Sequence, residues 1–230
     1  MCFSKEVSLA TFITGITGSI FVYTLGKLND KIIGIYLGYV SLMQGIEYLL
    51  WNHQTCDVFH KDISFLGMIL NISQPIVLGI IILLINTELK DKSLIIAILF
   101  IYSIFAIEYC KNYSNNLQCT RPRPNDPHLV WNWTILESYT TMWAIYIITV
   151  CSICIIGMPT LDNGIRCAFA AFITMLISII IYPRQDMGAM WCFFTALSPP
   201  FYYIARRLKI FNIKAIDAFG FTFFKIKRKN

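Results

Sequence analysis

Apolar runs of about 20 residues follow one another along most of this chain, separated by short clusters of charged and turn-forming residues. They occupy positions 7–26, 32–51, 64–85, 93–110, 131–157, 165–182 and 189–205. A helix needs about that length to cross a hydrocarbon core about 30 Å thick. A soluble core does not require run after run of this size. Only 14% of the 230 residues are charged and 57% are hydrophobic, whereas soluble domains carry about a quarter charged residues. Lipid offers no water to backbone amides, so a spanning segment is a helix or part of a closed barrel, and barrel strands alternate polar with apolar residues. These runs do not alternate. The expected fold is all-α: a polytopic (multi-pass) membrane protein, a bundle of seven transmembrane helices over 1–205, with a basic juxtamembrane tail over 206–230. The first run has no basic segment before it and no small-residue cleavage site, so it reads as a span and not as a cleaved signal.

Basic residues set the orientation. Arg206, Arg207, Lys209, Lys214, Lys225, Lys227, Arg228 and Lys229 crowd the carboxyl end. With seven spans the C-terminus is then cytoplasmic and the N-terminus outside. Lys27, Lys31, Lys90 and Lys92 fall inside too, while Lys111, Arg121 and Arg123 fall outside, against the trend. The sequons at Asn112 and Asn132 lie in or beside the same outer loop. The tail's charge and its Phe-rich stretch suit anionic lipids of the inner leaflet, although orientation alone explains such charge. No nucleic-acid-binding motif accompanies it. Cys56 and Cys119 lie in different outer loops and can pair in an oxidising compartment, with Cys110 and Cys2 as competing partners. Cys151 and Cys154 form a CxxC inside a span, where packing is the ordinary role.

Polar residues within the spans concentrate toward the outer side. Glu47 stands four residues before Trp51 in QGIEYLLW, about a turn below the interface, and shares a helical face with Gln44. Asn71 and Gln74 lie in the outer half of the third run, Glu108 near the outer end of the fourth, and Glu137 in the outer half of the fifth. The inner half holds few ionisable residues apart from Arg166. Intramembrane ionisable groups face the bundle interior or a wet cavity. Two roles fit them: an outward-facing acidic cavity lined by Gln44, Glu47, Asn71, Gln74, Glu108 and Glu137, or interhelical hydrogen-bonded ties. Pro75 and the Ser198-Pro199-Pro200 stretch sit at matching depths in runs three and seven, where proline kinks or breaks a helix. Such breaks line transporter sites. Gly15, Gly18, Gly34 and Gly38 suit close helix contacts.

Three short motifs occur in order: MCFS at the start, QGIEYLLW in the second run and WCFF in the last. They resemble a family of uncharacterised multi-pass membrane proteins of bacteria and large DNA viruses, whose members open Met-Cys-Phe-Ser, carry a Glu-containing second helix ending in Trp, and close near Trp-Cys-Phe-Phe. The resemblance implies that Cys2, Phe3, Ser4, Gln44, Glu47, Trp51, Trp191 and Cys192 are motif positions, and it implies no activity.

A retinal protein needs a lysine in the last span, which has none. A metal hydrolase needs about three ligands, and His53, His60 and His128 all lie at or beyond helix ends. No metal, cofactor or catalytic motif is expected. The expected function is transport or conduction of a small solute or cation. The alternatives are a structural or sensory protein, or an intramembrane metal-dependent hydrolase.

Overall fold

The computed structural model describes residues 4–115, 118–123, 126–136, 138–182 and 187–208. Cys2, Phe3, Glu137 and the tail from 209 onward lie outside the described residues. The elements are α1 (Lys5–Thr24), α2 (Leu28–Asn52), α3 (Val58–Ile85), α4 (Lys92–Ser114), the antiparallel strands β1 (Arg121–Arg123) and β2 (Asp126–Val130), a 3-10 turn (Asn132–Ile135), α5 (Tyr139–Gly157), α6 (Leu161–Ile181) and α7 (Met187–Arg207). The chain is all-helical apart from this small hairpin and turn, among the described residues.

Six helices, α1 to α6, are long and apolar enough to cross a membrane. Seven crossings were expected, but α7 is not among the six. Its 21 residues include Ser198, two prolines, Arg206 and Arg207. It also runs two residues past the boundary expected at 205. The molecule's exterior supports a lipid setting. Ile96, Phe100, Ile101, Ile104 and Ile107 of α4 are exposed, as are Phe172, Ile179, Ile180 and Ile181 of α6. A soluble monomer does not display apolar faces of that extent. Gln44, Glu47, Asn71 and Gln74 are meanwhile buried.

Links of a few residues join α1 to α2, α2 to α3, α3 to α4 and α5 to α6, whereas α4 reaches α5 through the hairpin and the 3-10 turn. At the first, Gly26 adopts φ 83°, a left-handed conformation open to glycine without strain. The helices form a ring in chain order: α1 packs on α2 and α7, α2 also on α3 and α7, and α5 joins α3 to α6. Outside it lies α4, against α3 and α5. One end of the bundle carries the hairpin (the hairpin face) and the other the end of α7 (the tail face).

The hairpin face is tied together covalently and by hydrogen bonds. Cys56 and Cys119 form a disulfide across 63 residues. Fully buried His60, near the start of α3, places Nδ1 on the His53 carbonyl and Nε2 2.7 Å from the Thr120 carbonyl. The ring thus bridges the end of α2 and the loop before the hairpin. Trp131 and Trp133 stack at 4.1 Å, and a Cβ at Gly67 would lie 2.6 Å from Trp131. They belong to the loop, so α5 begins at Tyr139 and not at 131 as expected. Their apolarity plugs the hairpin end of the bundle and extends no helix.

Helix ends follow local chemistry. Ser4 caps α1 by accepting from the Val7 amide at 3.3 Å. Asp57 caps α3, accepting from the His60 amide at 2.9 Å and facing the His53 ring at 2.8 Å. Those two contacts hold its carboxyl below the usual carboxylate range. A lowered folded value means that the cap's contribution is complete above about pH 4, the unfolded value, and is lost as pH falls through the folded one. The stability gap between wild type and Asp57→Asn, read from melting curves, is therefore expected to close below that pH.

Prolines do not break their helices: α3 runs through Pro75 and α7 through Pro199 and Pro200. Tyr102 of α4 donates to the Ile72 carbonyl at 2.7 Å, within the turn that Pro75 deprives of an amide. The α7 prolines instead fill space beside α1, where a Cβ on Gly18 would lie 2.7 Å from Pro200. Glycine also sets the α1–α2 spacing. A Cβ on Gly34 would lie 2.8 Å from the Tyr23 nitrogen and 2.9 Å from the Ser19 carbonyl, both backbone. At Gly38 the nearest atom is the Ser19 Cβ at 3.5 Å, an ordinary contact. Gly34→Ala is expected to cost about 1–3 kcal/mol through overpacking, and Gly38→Ala little. Thermal unfolding of the two variants checks the contrast.

Candidate functional site: a buried polar cluster and a tail-side cavity

Gln44 and Glu47 lie one turn apart on α2 and are both fully buried. From α3, Asn71 Nδ2 donates to Cys192 Sγ of α7 at 3.2 Å and Gln74 Nε2 to the same sulfur at 3.7 Å. Tyr146 of α5 donates to Gln74 Oε1 at 2.5 Å. Glu47 lies within electrostatic reach of that thiol. Cys192 is thus the point where α2, α3 and α7 meet. Three residues of the expected outer cavity (Glu47, Asn71, Gln74) come together here, and Gln44 is buried one turn from Glu47 on α2. Glu108 does not join them. On α4 the buried stripe is Ile95, Leu99, Tyr102, Ala106, Tyr109 and Tyr113, and Glu108, one position off that stripe, is exposed.

Next to this cluster stands an aromatic layer. Trp191 packs edge-on against Tyr146 at 5.4 Å and Trp143 at 6.1 Å. Its indole donates to Thr174 Oγ1 at 3.0 Å and to the Ala171 carbonyl at 3.3 Å, both on α6. Trp51 is half-buried at the end of α2.

On the far side of Trp191 is a cavity of about 230 Å³, between α2, α5, α6 and α7. Tyr36, Val150, Cys154, Cys167, Thr174 and Thr195 line its inner part. Asn29, Asn163, Arg166, Tyr202 and Arg206 line it at the tail-face ends of their helices. Bulk water takes about 30 Å³ per molecule, so the space suits a small solute. It lies in the half opposite to the one expected, and Gln44, Glu47, Asn71 and Gln74 are not among its lining residues.

The same end holds ionisable groups at or just beyond the limits of the runs read from the sequence. Asp30, near the start of α2, is 1% exposed. Arg206 grips it with Nε and a terminal nitrogen, each at 3.0 Å, and Tyr202 donates to it at 2.7 Å. Asn29 donates to the Tyr202 hydroxyl at 2.8 Å. Across the cavity, Arg166 meets Asp162 at 2.9 Å. Both pairs are charge-balanced, and the Arg side chains are each 24% exposed. The wall deeper in is chiefly apolar, with scattered hydroxyls and thiols.

No group of three His, Cys, Asp or Glu side chains among the described residues is arranged to hold a metal ion. Both nitrogens of His60 are engaged by carbonyls, and His53 faces Asp57. No protein-family model matches the chain, and no curated protein or solved structure matches it either.

Proposed function

We propose that the chain is a seven-span membrane protein, hairpin face outside and tail face cytoplasmic, that binds and carries a small solute through the cavity between α2, α5, α6 and α7. The observation that carries this is the asymmetry along the bundle axis. A cavity reaches in from the tail face, while Trp191, Tyr146 and the Glu47–Cys192 cluster close the bundle on the hairpin side. A site wet from one side and sealed from the other is what alternating access requires. The balanced Asp30–Arg206 and Asp162–Arg166 pairs and the apolar wall favour a neutral or zwitterionic solute with an apolar part. Glu47, buried behind the seal, is the coupling carboxylate in this scheme. Basic residues of the tail contact anionic lipids on the cytoplasmic side, and the motif positions are those of the family with Met-Cys-Phe-Ser and Trp-Cys-Phe-Phe ends.

Uptake of radiolabelled glycine, glycerol and choline into proteoliposomes tests this. Saturable uptake of at least one is expected, with loss in Ala171→Trp, which fills the cavity, and in Glu47→Gln, while melting temperatures stay near wild type. No uptake of any of them would reject carriage of these solutes. The second reading, a non-transporting structural or sensory protein, draws on the hydrogen bonds of Asn71, Gln74 and Tyr146, which suit assembly as well as coupling. Interhelical bonds of this kind contribute about 0.6 kcal/mol each.

A further inference from the structure

The cavity wall contains two thiols that face one another. Cys154 Sγ of α5 lies 3.1 Å from Cys167 Sγ of α6, and both residues line the cavity. The approach is built into the helix contact. A Cβ on Gly164 would lie 2.7 Å from the Cys154 carbonyl, so the missing side chain there lets α6 rest on the α5 backbone. No atom fits between the sulfurs, and a disulfide bond of about 2.05 Å needs an approach of about one ångström more. Cys154 is fully buried and Cys167 is half-buried. Cys151, the other half of the CxxC, directs its sulfur to the Ala168 carbonyl at 3.6 Å and is not among the cavity-lining residues.

We propose that Cys154 and Cys167 are an oxidisable dithiol, closed to a disulfide by hydrogen peroxide entering the cavity, and that closure locks α5 to α6 and impairs the cavity's use. The proposal rests on the cavity admitting small solutes, and not on transport. Cys167, the more accessible, attacks as thiolate. Its sulfur bonds to one peroxide oxygen, the O–O bond breaks, and the departing oxygen takes up the thiol proton to leave as water. Cys167 is then a sulfenic acid. Cys154 sulfur displaces the sulfenic hydroxyl, the S–S bond forms, and that hydroxyl leaves with the Cys154 proton as a second water. Two thiols lose two electrons and one peroxide becomes two waters. An external thiol reverses the step by exchange.

The test uses the full chain in lipid nanodiscs. Hydrogen peroxide is added, remaining thiols are alkylated with N-ethylmaleimide, and digests are mapped by mass spectrometry. Expected is a Cys154–Cys167 linked peptide, joint loss of alkylation at both positions, retained alkylation at Cys151, and recovery after dithiothreitol. Cys167→Ser should give no link. Recovery of the two cysteines as separate sulfinic acids, or continued alkylation of both after peroxide, overturns the proposal. Alkylation of Cys167 before oxidation reads access independently. If Cys167 is alkylated yet no link forms, the dithiol proposal fails and the cavity stands. If a link forms without prior alkylation, peroxide has reached a pair that maleimide-sized solutes do not: the dithiol stands, and carriage of solutes of that size fails.

Discussion

Replacing Arg206 with Met is expected to lower the unfolding free energy by about 3–5 kcal/mol, the range for removing one partner of a buried ion pair. Asp30 is 1% exposed and, among the described residues, would keep the Tyr202 hydroxyl against its charge. Because the Arg206 side chain is 24% exposed, the loss should fall toward the lower end. Asp30→Asn should cost less, since the remaining Arg206 can turn its charge to water. The double variant Asp30→Leu/Arg206→Met should recover much of the loss, because a buried pair often contributes no more than apolar residues of similar volume. Thermal unfolding in nanodiscs measures all three. Arg206→Met within about 0.5 kcal/mol of wild type, the range of ordinary surface substitutions, would remove this pair as the fastening of α2 to α7.

His60→Leu carries the second large effect. It removes the ring that now bridges the His53 and Thr120 carbonyls. An unsatisfied buried acceptor costs about 1–3 kcal/mol, and a loss in that range is expected. Hydrogen exchange should localise the damage to 118–136 and the start of α3 and spare α6 and α7. Opening the Cys56–Cys119 bridge acts on the same loop. Its 63-residue separation corresponds to at most about 4 kcal/mol of closure entropy. The actual value is smaller where α3 and α4 remain inserted. The two variants share Thr120's neighbourhood, so their effects should not add.

Run length and apolarity made most of the helices legible, because lipid constrains exactly those properties along one helix at a time. Trp131 and Trp133 show the limit of that signal. They are as apolar as a span, yet Trp131 packs over Gly67 from a loop and Trp133 sits in the 3-10 turn that follows. Glu47 was legible from the cost of placing a carboxylate in an apolar run, and Glu108 was misplaced by the same logic. Depth along a helix says nothing about which face a residue occupies. The spacing of Tyr102, Tyr109 and Tyr113 carried the missing information, since their hydroxyls turn inward and leave Glu108 outside. Asp30 and Arg206 were invisible as a pair. They are 176 residues apart, and each looked like ordinary charge beyond a helix end. The cavity was illegible for a similar reason: Thr174, Thr195, Cys154 and Cys167 become a wall only once four helices are packed.

Solvent access to Thr195 tests the central claim most directly. Thr195→Cys is placed in a Cys154→Ala/Cys167→Ala background, reconstituted in sealed vesicles of each orientation, and treated with a membrane-impermeant methanethiosulfonate. Labelling is predicted from the tail face and not from the hairpin face, and it should disappear when Ala171→Trp is added. Equal labelling from both faces, or none from either, would contradict a cavity that is open at the tail end and sealed by Trp191 and the Glu47 cluster.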